Sequence, residues 1–471
     1  MEKLEKLSER ATKAWVLALV SVASFMVFLD AMVVTTALST IRRDLNASIE
    51  ALEWTVNAYN LSFAVLLLTG AALGDRLGRR RMFAAGLALF GAASAACALA
   101  GDAAWLIAGR ALQGAGAALI MPLAMTLLSA AFPPEQRAKA LGIFSSVSGL
   151  ALIAGPAVGG AITEGFAWQW IFWINIPIGL MAIPLVLSRI PESTGSSAPL
   201  DIGGIALAAG AALGVVWGLM RANNAGWTSL EVVAALVTGI VLAVAFVAWA
   251  MRVRAPMMPM RLFRSRAFSS GIVASFLFYA SMYGVLFFLP QFLQVAQGHG
   301  PFGTGLRLLT WTATLFVFAP IGGALVNRVG ERPLVVGGVF LQAIGFAWIA
   351  AIAAPDLAYG KIVLPLILAG TGVSMAMPAA QNAILGAVAA NEVGKASGTF
   401  NMLRFLGAVF GIAVLVAMFA GNGSVDSPQA FSAGFVPAIG VSAGLSLMAA
   451  VVGLWLPGRR DVVLLQAPTK A

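Results

Sequence analysis

Gly70-AALGDRLGRRRMFAA-Gly86 is a short charged hinge between two long apolar runs. Asp75, Arg76, Arg79, Arg80 and Arg81 crowd into it, with Gly74 and Gly78 between them. The flanking runs are each long enough to cross a hydrocarbon core of about 30 Å. A turn this charged must lie in water at one face of a bilayer. Its arginines also say which face, because basic residues collect on the cytoplasmic side.

Outward from the hinge the chain is mostly hydrocarbon. Of 471 residues, 60% are hydrophobic and 10% charged, and mean hydropathy is +0.92. A soluble domain carries about 25% charged residues. The reading is an all-α polytopic membrane protein. Fourteen spans are expected, near 15–38, 52–73, 82–100, 104–131, 137–162, 170–188, 202–220, 229–250, 269–295, 303–326, 333–353, 361–388, 396–419 and 433–456. An even number puts both termini on one side. With that side inside, the outer segments hold only Arg42, Arg43, Arg221 and Lys361, while the hinge and the Met251–Phe268 segment are rich in arginine. Both termini are therefore expected in the cytoplasm. Trp15, Trp54, Trp105, Trp168, Trp227, Trp249 and Trp455 fall near span ends, where interfacial anchors belong.

Three blocks recur. Gly70-AALGDRLGRR aligns with Gly322-GALVNRVGER, 252 residues on. Gly114-AGAALIMP aligns with Gly370-TGVSMAMP, and Lys139-ALGIF with Lys395-ASGTF, each 256 residues on. A near-constant offset argues for duplication. The expected organisation is a cytoplasmic segment at 1–14, a six-helix half at 15–188 and a linker at 189–201. An inserted helix pair follows at 202–250, then a basic amphipathic segment at 251–268, a second six-helix half at 269–456 and a cytoplasmic tail at 457–471. Parallel halves around a central site are a secondary-transporter architecture.

The motifs resemble a known family. The hinge resembles the signature between the second and third helices of the major facilitator superfamily. Gly149-LALIAGPAVGG resembles its antiporter signature. Leu29-DAMVVTTALSTI, Gly109-RALQGAGAALIMP, Trp168-QWIFWINIPIG and Met258-PMRLFRSRAF are similar to patterns of its fourteen-helix drug:proton antiporter branch. Ser39 stands where the first-helix pattern usually has proline. In the second half, Asn327 replaces the aspartate of the hinge and Ile412 the proline of the antiporter signature. The resemblance implies a proton-coupled exporter of amphipathic, cationic drugs or toxic compounds, in a bacterial plasma membrane and working as a monomer. It implies that Gly74, Asp75, Arg76, Gly78, Arg79 and Arg80 form a conformational switch. It implies that the bend at Gly155, Pro156, Gly159 and Gly160 seals the outer side against proton leak.

Other assignments follow from the residues themselves. Asp30 lies roughly 22 Å along its helix from Trp15, inside the membrane. Arg110 lies roughly 8 Å below the outer surface, at a similar depth. An ionised aspartate at helix centre costs about 2.5–3.5 kcal/mol on insertion scales. Asp30 is the expected protonation site, with Arg110 as its tuning partner and Glu164 as a further relay candidate. Glu53 and Glu231 are expected to be hydrated at outer span ends. Asn57, Tyr59, Asn60, Gln113, Met121 and Tyr279 are candidates for an adaptable substrate cavity, as are Tyr283, Met377, Gln381, Asn401 and Arg404. Membrane lipid, protons and a small molecule are the expected partners. No cofactor, metal or nucleic acid is expected.

Competing matches fail on context. Gly440-VSAG fits a hydrolase pattern but lies within an apolar span. Lys395 lacks a phosphate loop. His299 is the only histidine. Two other readings stay open: export of an endogenous metabolite or lipid, and a non-transporting membrane receptor or scaffold.

Overall fold

A computed structural model describes residues 2–195, 200–389 and 392–458. The expected tail beyond 458 and linker residues 196–199 lie outside that range. Among the described residues, fourteen helices are long and apolar enough to cross a membrane. They are Arg10–Asp44, Ile49–Leu77, Arg79–Ala98, Ala103–Ala131, Lys139–Gly165, Trp170–Arg189 and Ile202–Ala222. The remaining seven are Leu230–Arg252, Arg266–Ala296, Pro301–Val326, Glu331–Ile352, Tyr359–Gly386, Val393–Ala420 and Pro428–Gly453. They are numbered below as spans one to fourteen. The first helix runs unbroken from Glu2 to Asp44, so its charged N-terminal residues continue the span as helix.

The chain forms two compact units. The first holds the chain up to Gly210, together with Val253–Met257 and Gly300–Leu306. The second holds Ala211–Arg252, Met258–His299 and the chain from Arg307 on.

Small residues set the packing of the first unit. In hydrocarbon, helix association rests on close van der Waals contact rather than on water exclusion. At Gly70 the second span lies against the backbone of Ala118 in the fourth, and at Gly114 the fourth lies against the Tyr59 carbonyl of the second. The sixth span breaks at Ile174, between Trp170–Trp173 and Asn175–Arg189. Pro177 explains the break. It has no N–H to offer Trp173, and its ring crowds that carbonyl. Trp168 is a correction to the interfacial reading. It is 1% exposed and meets Phe172 edge-on, with ring centroids 6.2 Å apart.

In the second unit the ninth span is the core helix, buried along most of its length. The Ser281 and Ser446 hydroxyls meet at 2.7 Å, and Gln342 donates to Ser281 at 3.2 Å, so ninth, eleventh and fourteenth spans are tied by one polar knot. Within this unit, Gly214 of the seventh span and Gly239 of the eighth approach backbone to backbone. The eighth span turns Val237, Ile240, Val241 and Val244 outward, as a lipid-facing helix would.

The duplication is visible in the backbone. Gly78, between second and third spans, has φ 107°, and Gly330, between tenth and eleventh, has φ 86°. Both torsions lie where a side chain is strained. Gly78→Ala is expected to cost about 1–3 kcal/mol, read as a lower unfolding midpoint in detergent. An unchanged midpoint would mean that the hinge relaxes freely.

Candidate functional site

Arg110 and Gln113 are three residues apart on the fourth span and so share a face. The structure brings Asp30 of the first span onto that face. Arg110 Nη1 lies 2.5 Å from Asp30 Oδ2 and also donates to Gln113 Oε1 at 2.7 Å. Gln113 Nε2 donates to Asp30 Oδ1 at 2.7 Å. The break in the sixth span supplies a third donor, Asn175 Nδ2, at 2.9 Å from the same oxygen. Ser94 Oγ of the third span accepts from Gln113 at 2.8 Å and from Asn175 at 3.2 Å. The second span contributes the Thr55 carbonyl, which accepts from Arg110 Nε at 3.2 Å. Tyr59 lies under the guanidinium, 4.2 Å from it, and its hydroxyl donates to the Val27 carbonyl.

Five spans thus converge on one carboxylate. Asp30 and Arg110 are each 1% exposed. Such a cluster has two states with different demands. Ionised Asp30 neutralises Arg110 and accepts three donors. Protonated Asp30 leaves the guanidinium without its counter-ion, which is costly in a buried place.

Several residues read as cavity candidates belong to this cluster or its surroundings. Gln113 and Tyr59 are buried within it. Asn57 donates to Glu53 Oε1 at 3.2 Å, and Asn60 is buried nearby on the same helix. Met121, Met377, Gln381 and Asn401 are half-buried, while Tyr279, Tyr283 and Arg404 are buried in the second unit. Ser94 and Asn175 were missed. Asn175 had a signal, as a lone amide beside a proline in an apolar span.

Of the three glutamates near span ends, Glu53 departs from expectation. Glu53 is 0% exposed, so it is sealed within the helices rather than hydrated. Glu231 is exposed and pairs with Arg221 at 3.0 Å. Glu164 Oε2 accepts from the Phe302 N–H at 2.9 Å and so caps the start of the tenth span.

The antiporter motif is a contact surface. Gly155 lies on Met32, and Gly159 lies on the Val33 carbonyl and Thr36 of the first span. Gly160 lies on Pro301 and Phe302, and Gly305 lies on Pro156. A Cβ at Gly159 would stand 2.6 Å from the Val33 carbonyl oxygen. Gly159→Val is expected to cost about 1–3 kcal/mol by overpacking and to slow transport. Gly149→Val is the control, because a Cβ there meets nothing within 4 Å. Equal behaviour of the two variants in unfolding and uptake assays would remove the motif's packing role.

At the hinge, Arg79 Nε donates to Asp75 Oδ1 at 2.8 Å. Arg76 is exposed, and Gly74 packs on Leu123. The rest of the hinge is held by the linker after the sixth span, a segment that the sequence marks only as a connection before the inserted pair. The Gly195 N–H donates to the Asp75 carbonyl and the Arg79 N–H to the Ser193 carbonyl, both at 2.9 Å. Glu192 Oε1 accepts from the Arg80 N–H at 2.9 Å, and its other oxygen lies 3.7 Å from Arg81 Nε.

Comparison with known proteins agrees with this architecture. A family profile described as Major Facilitator Superfamily matches residues 20–412. The tetracenomycin C resistance and export protein of Streptomyces glaucescens is 34% identical over 89% of this chain and 78% of its own. The multidrug resistance protein Stp of Mycobacterium tuberculosis is 33% identical over 84% and 74%. The solved D-xylose-proton symporter superposes with TM-score 0.69 at 15% identity, covering 94% of this chain and 98% of that one. With fourteen spans, a duplicated glycine hinge and a profile match over most of its length, the chain belongs to the Major Facilitator Superfamily of membrane transporters.

Proposed function

We propose that this protein exports amphipathic drugs across a bacterial plasma membrane in exchange for protons, with both termini in the cytoplasm. The observation that carries the reading is the buried Asp30 held by Arg110, Gln113 and Asn175. A proton entering from outside neutralises Asp30. The freed guanidinium then favours an arrangement in which drug has left. Proton release to the cytoplasm restores the pair and resets the transporter. The export names of the relatives support the direction and the substrate type.

Other elements have supporting roles. The two six-helix halves, 15–188 and 269–456, alternate access, with the pair at 202–250 inserted between them in the chain. Asp75 and Arg79 lock one conformation at the hinge, in a network whose exposed members each contribute little. The glycines from Gly155 to Gly160 and the Glu164 cap close the outer end of the first unit. Met121, Met377, Gln381 and Asn401 remain the cavity candidates with accessible surface.

The test is proton counterflow in proteoliposomes. With a pH gradient imposed and a pH-sensitive dye inside, addition of a transported drug should drive proton movement. Collapse of the gradient with nigericin should end drug accumulation. Drug accumulation that persists without the gradient would refute proton coupling.

A further inference from the structure

Arg404 lies on the thirteenth span, where it is the only charged residue after Lys395. It is 8% exposed, and Nε is buried with no hydrogen-bond partner. Its contacts are aromatic. The guanidinium carbon lies 4.6 Å from the Tyr279 ring centre and 5.3 Å from that of Phe405. Tyr279 and Tyr283 have ring centres 6.4 Å apart, and Tyr283 and Phe405 6.5 Å, so Tyr283 stands beside the two rings that face the cation. Among the described residues no carboxylate pairs with it, in contrast to Arg110, which has Asp30.

A buried guanidinium without a counter-ion is costly, and it carries five donors in a planar fork. Aromatic faces offset part of that cost but leave donors unfilled. The arrangement suits a ligand that brings both missing parts. An anionic oxygen would fill the fork, and a flat ring would lie among the tyrosines and Phe405. Asn401, three residues earlier on the same face, is half-buried and donates to the Ser397 carbonyl at 2.9 Å.

We infer that Arg404, Tyr279, Tyr283 and Phe405 form a recognition subsite for aromatic compounds bearing a carboxylate or an ionised phenol. This narrows the export reading above and rests on it only for the transport of such compounds. The subsite itself is a binding property and needs no proton gradient. It also departs from the cationic substrates that the family resemblance implies.

The test is equilibrium binding to purified protein in detergent, without any gradient, so that failure of proton coupling cannot mimic failure of the subsite. Three probes share the naphthalene ring and a substituent of similar size but differ in charge: 2-naphthoate, 2-naphthamide and 2-naphthylmethylammonium. Calorimetric titration of the wild type should favour naphthoate over the amide by about tenfold, the scale of one charge-assisted hydrogen bond. Arg404→Gln should abolish that preference while still binding the amide. Arg404→Lys keeps the charge without the fork and should retain only part of it. If Arg404→Gln does not yield monodisperse protein, the lysine variant and Tyr279→Ala carry the test, the first with a weakened carboxylate preference and the second with weaker binding of naphthoate. Decanoate, an aliphatic carboxylate, should bind more weakly than naphthoate, which separates an aromatic platform from a fatty-acid site. No binding of naphthoate, equal binding of the three probes, a preference for the ammonium, or a carboxylate preference that survives Arg404→Gln would overturn the assignment. A purely structural arginine would lower stability when replaced and leave the preference where it was.

Discussion

Asp30→Asn is expected to abolish proton-driven export while leaving drug-for-drug exchange across the membrane in place. The substitution keeps the size of the side chain. One amide oxygen still accepts from Gln113 or Asn175, but the group no longer gains and loses a proton. The new NH2 also meets donors where an oxygen stood, so Arg110 loses its charge-assisted partner. A stability loss of about 1–3 kcal/mol should accompany the change. The decisive readout is the split between two transport modes. Export against a gradient should fall to the level of empty vesicles, while exchange of labelled for unlabelled drug continues. Loss of both modes would mean that Asp30 is structural. Retention of both would move coupling elsewhere, with the sealed Glu53 as the next residue to replace.

Arg110→Ala should be the most destabilising single change in the first unit. It leaves Asp30 buried and uncompensated, and removal of one partner of a buried pair costs about 3–5 kcal/mol. It also strips the Tyr59 ring of its cation and the Thr55 carbonyl of its donor. Combining it with Asp30→Asn should restore part of that loss, because no charge is then left alone. Contacting residues of this kind show coupling of about 0.5–3 kcal/mol. Unfolding measured in detergent for wild type, both single variants and the double variant closes the cycle. Strict additivity would show that the two residues do not act as a unit.

Much of this was legible in the chain. The hinge glycine and its repeat 252 residues later marked Gly78 and Gly330, and both lie at positive φ. Matching depths brought Asp30 and Arg110 to one level, and they touch. Depth is a one-dimensional quantity that a helix converts from residue number, so it survives the lack of a fold. Direction around the helix does not. Asn175 reaches Asp30 because Pro177 breaks the sixth span just before it. Ser94 looks in sequence like Thr163, whose hydroxyl merely donates back to the Gly159 carbonyl of its own helix. Glu53 and Glu231 occupy similar places near span ends, yet one is sealed and the other exposed. Neighbouring helices decide that difference, and no local pattern reports them. Trp168 failed for the same reason. Proximity to a span end does not say whether the ring faces lipid or protein.

The Glu192–Gly195 strap gives the hinge an unusual genetic address. Its bonds to Asp75, Arg79 and Arg80 run mostly through backbone groups, so the strap depends on chain conformation more than on side-chain identity. Under selection with a toxic compound, escape variants need not alter any surface the compound touches. Insertions, deletions or prolines between Glu192 and Gly195 would free the hinge and shift the balance of conformations for every substrate at once. Such variants would score as uniformly weaker or stronger across a drug panel. Changes around Arg404 would instead reorder the panel, compound by compound.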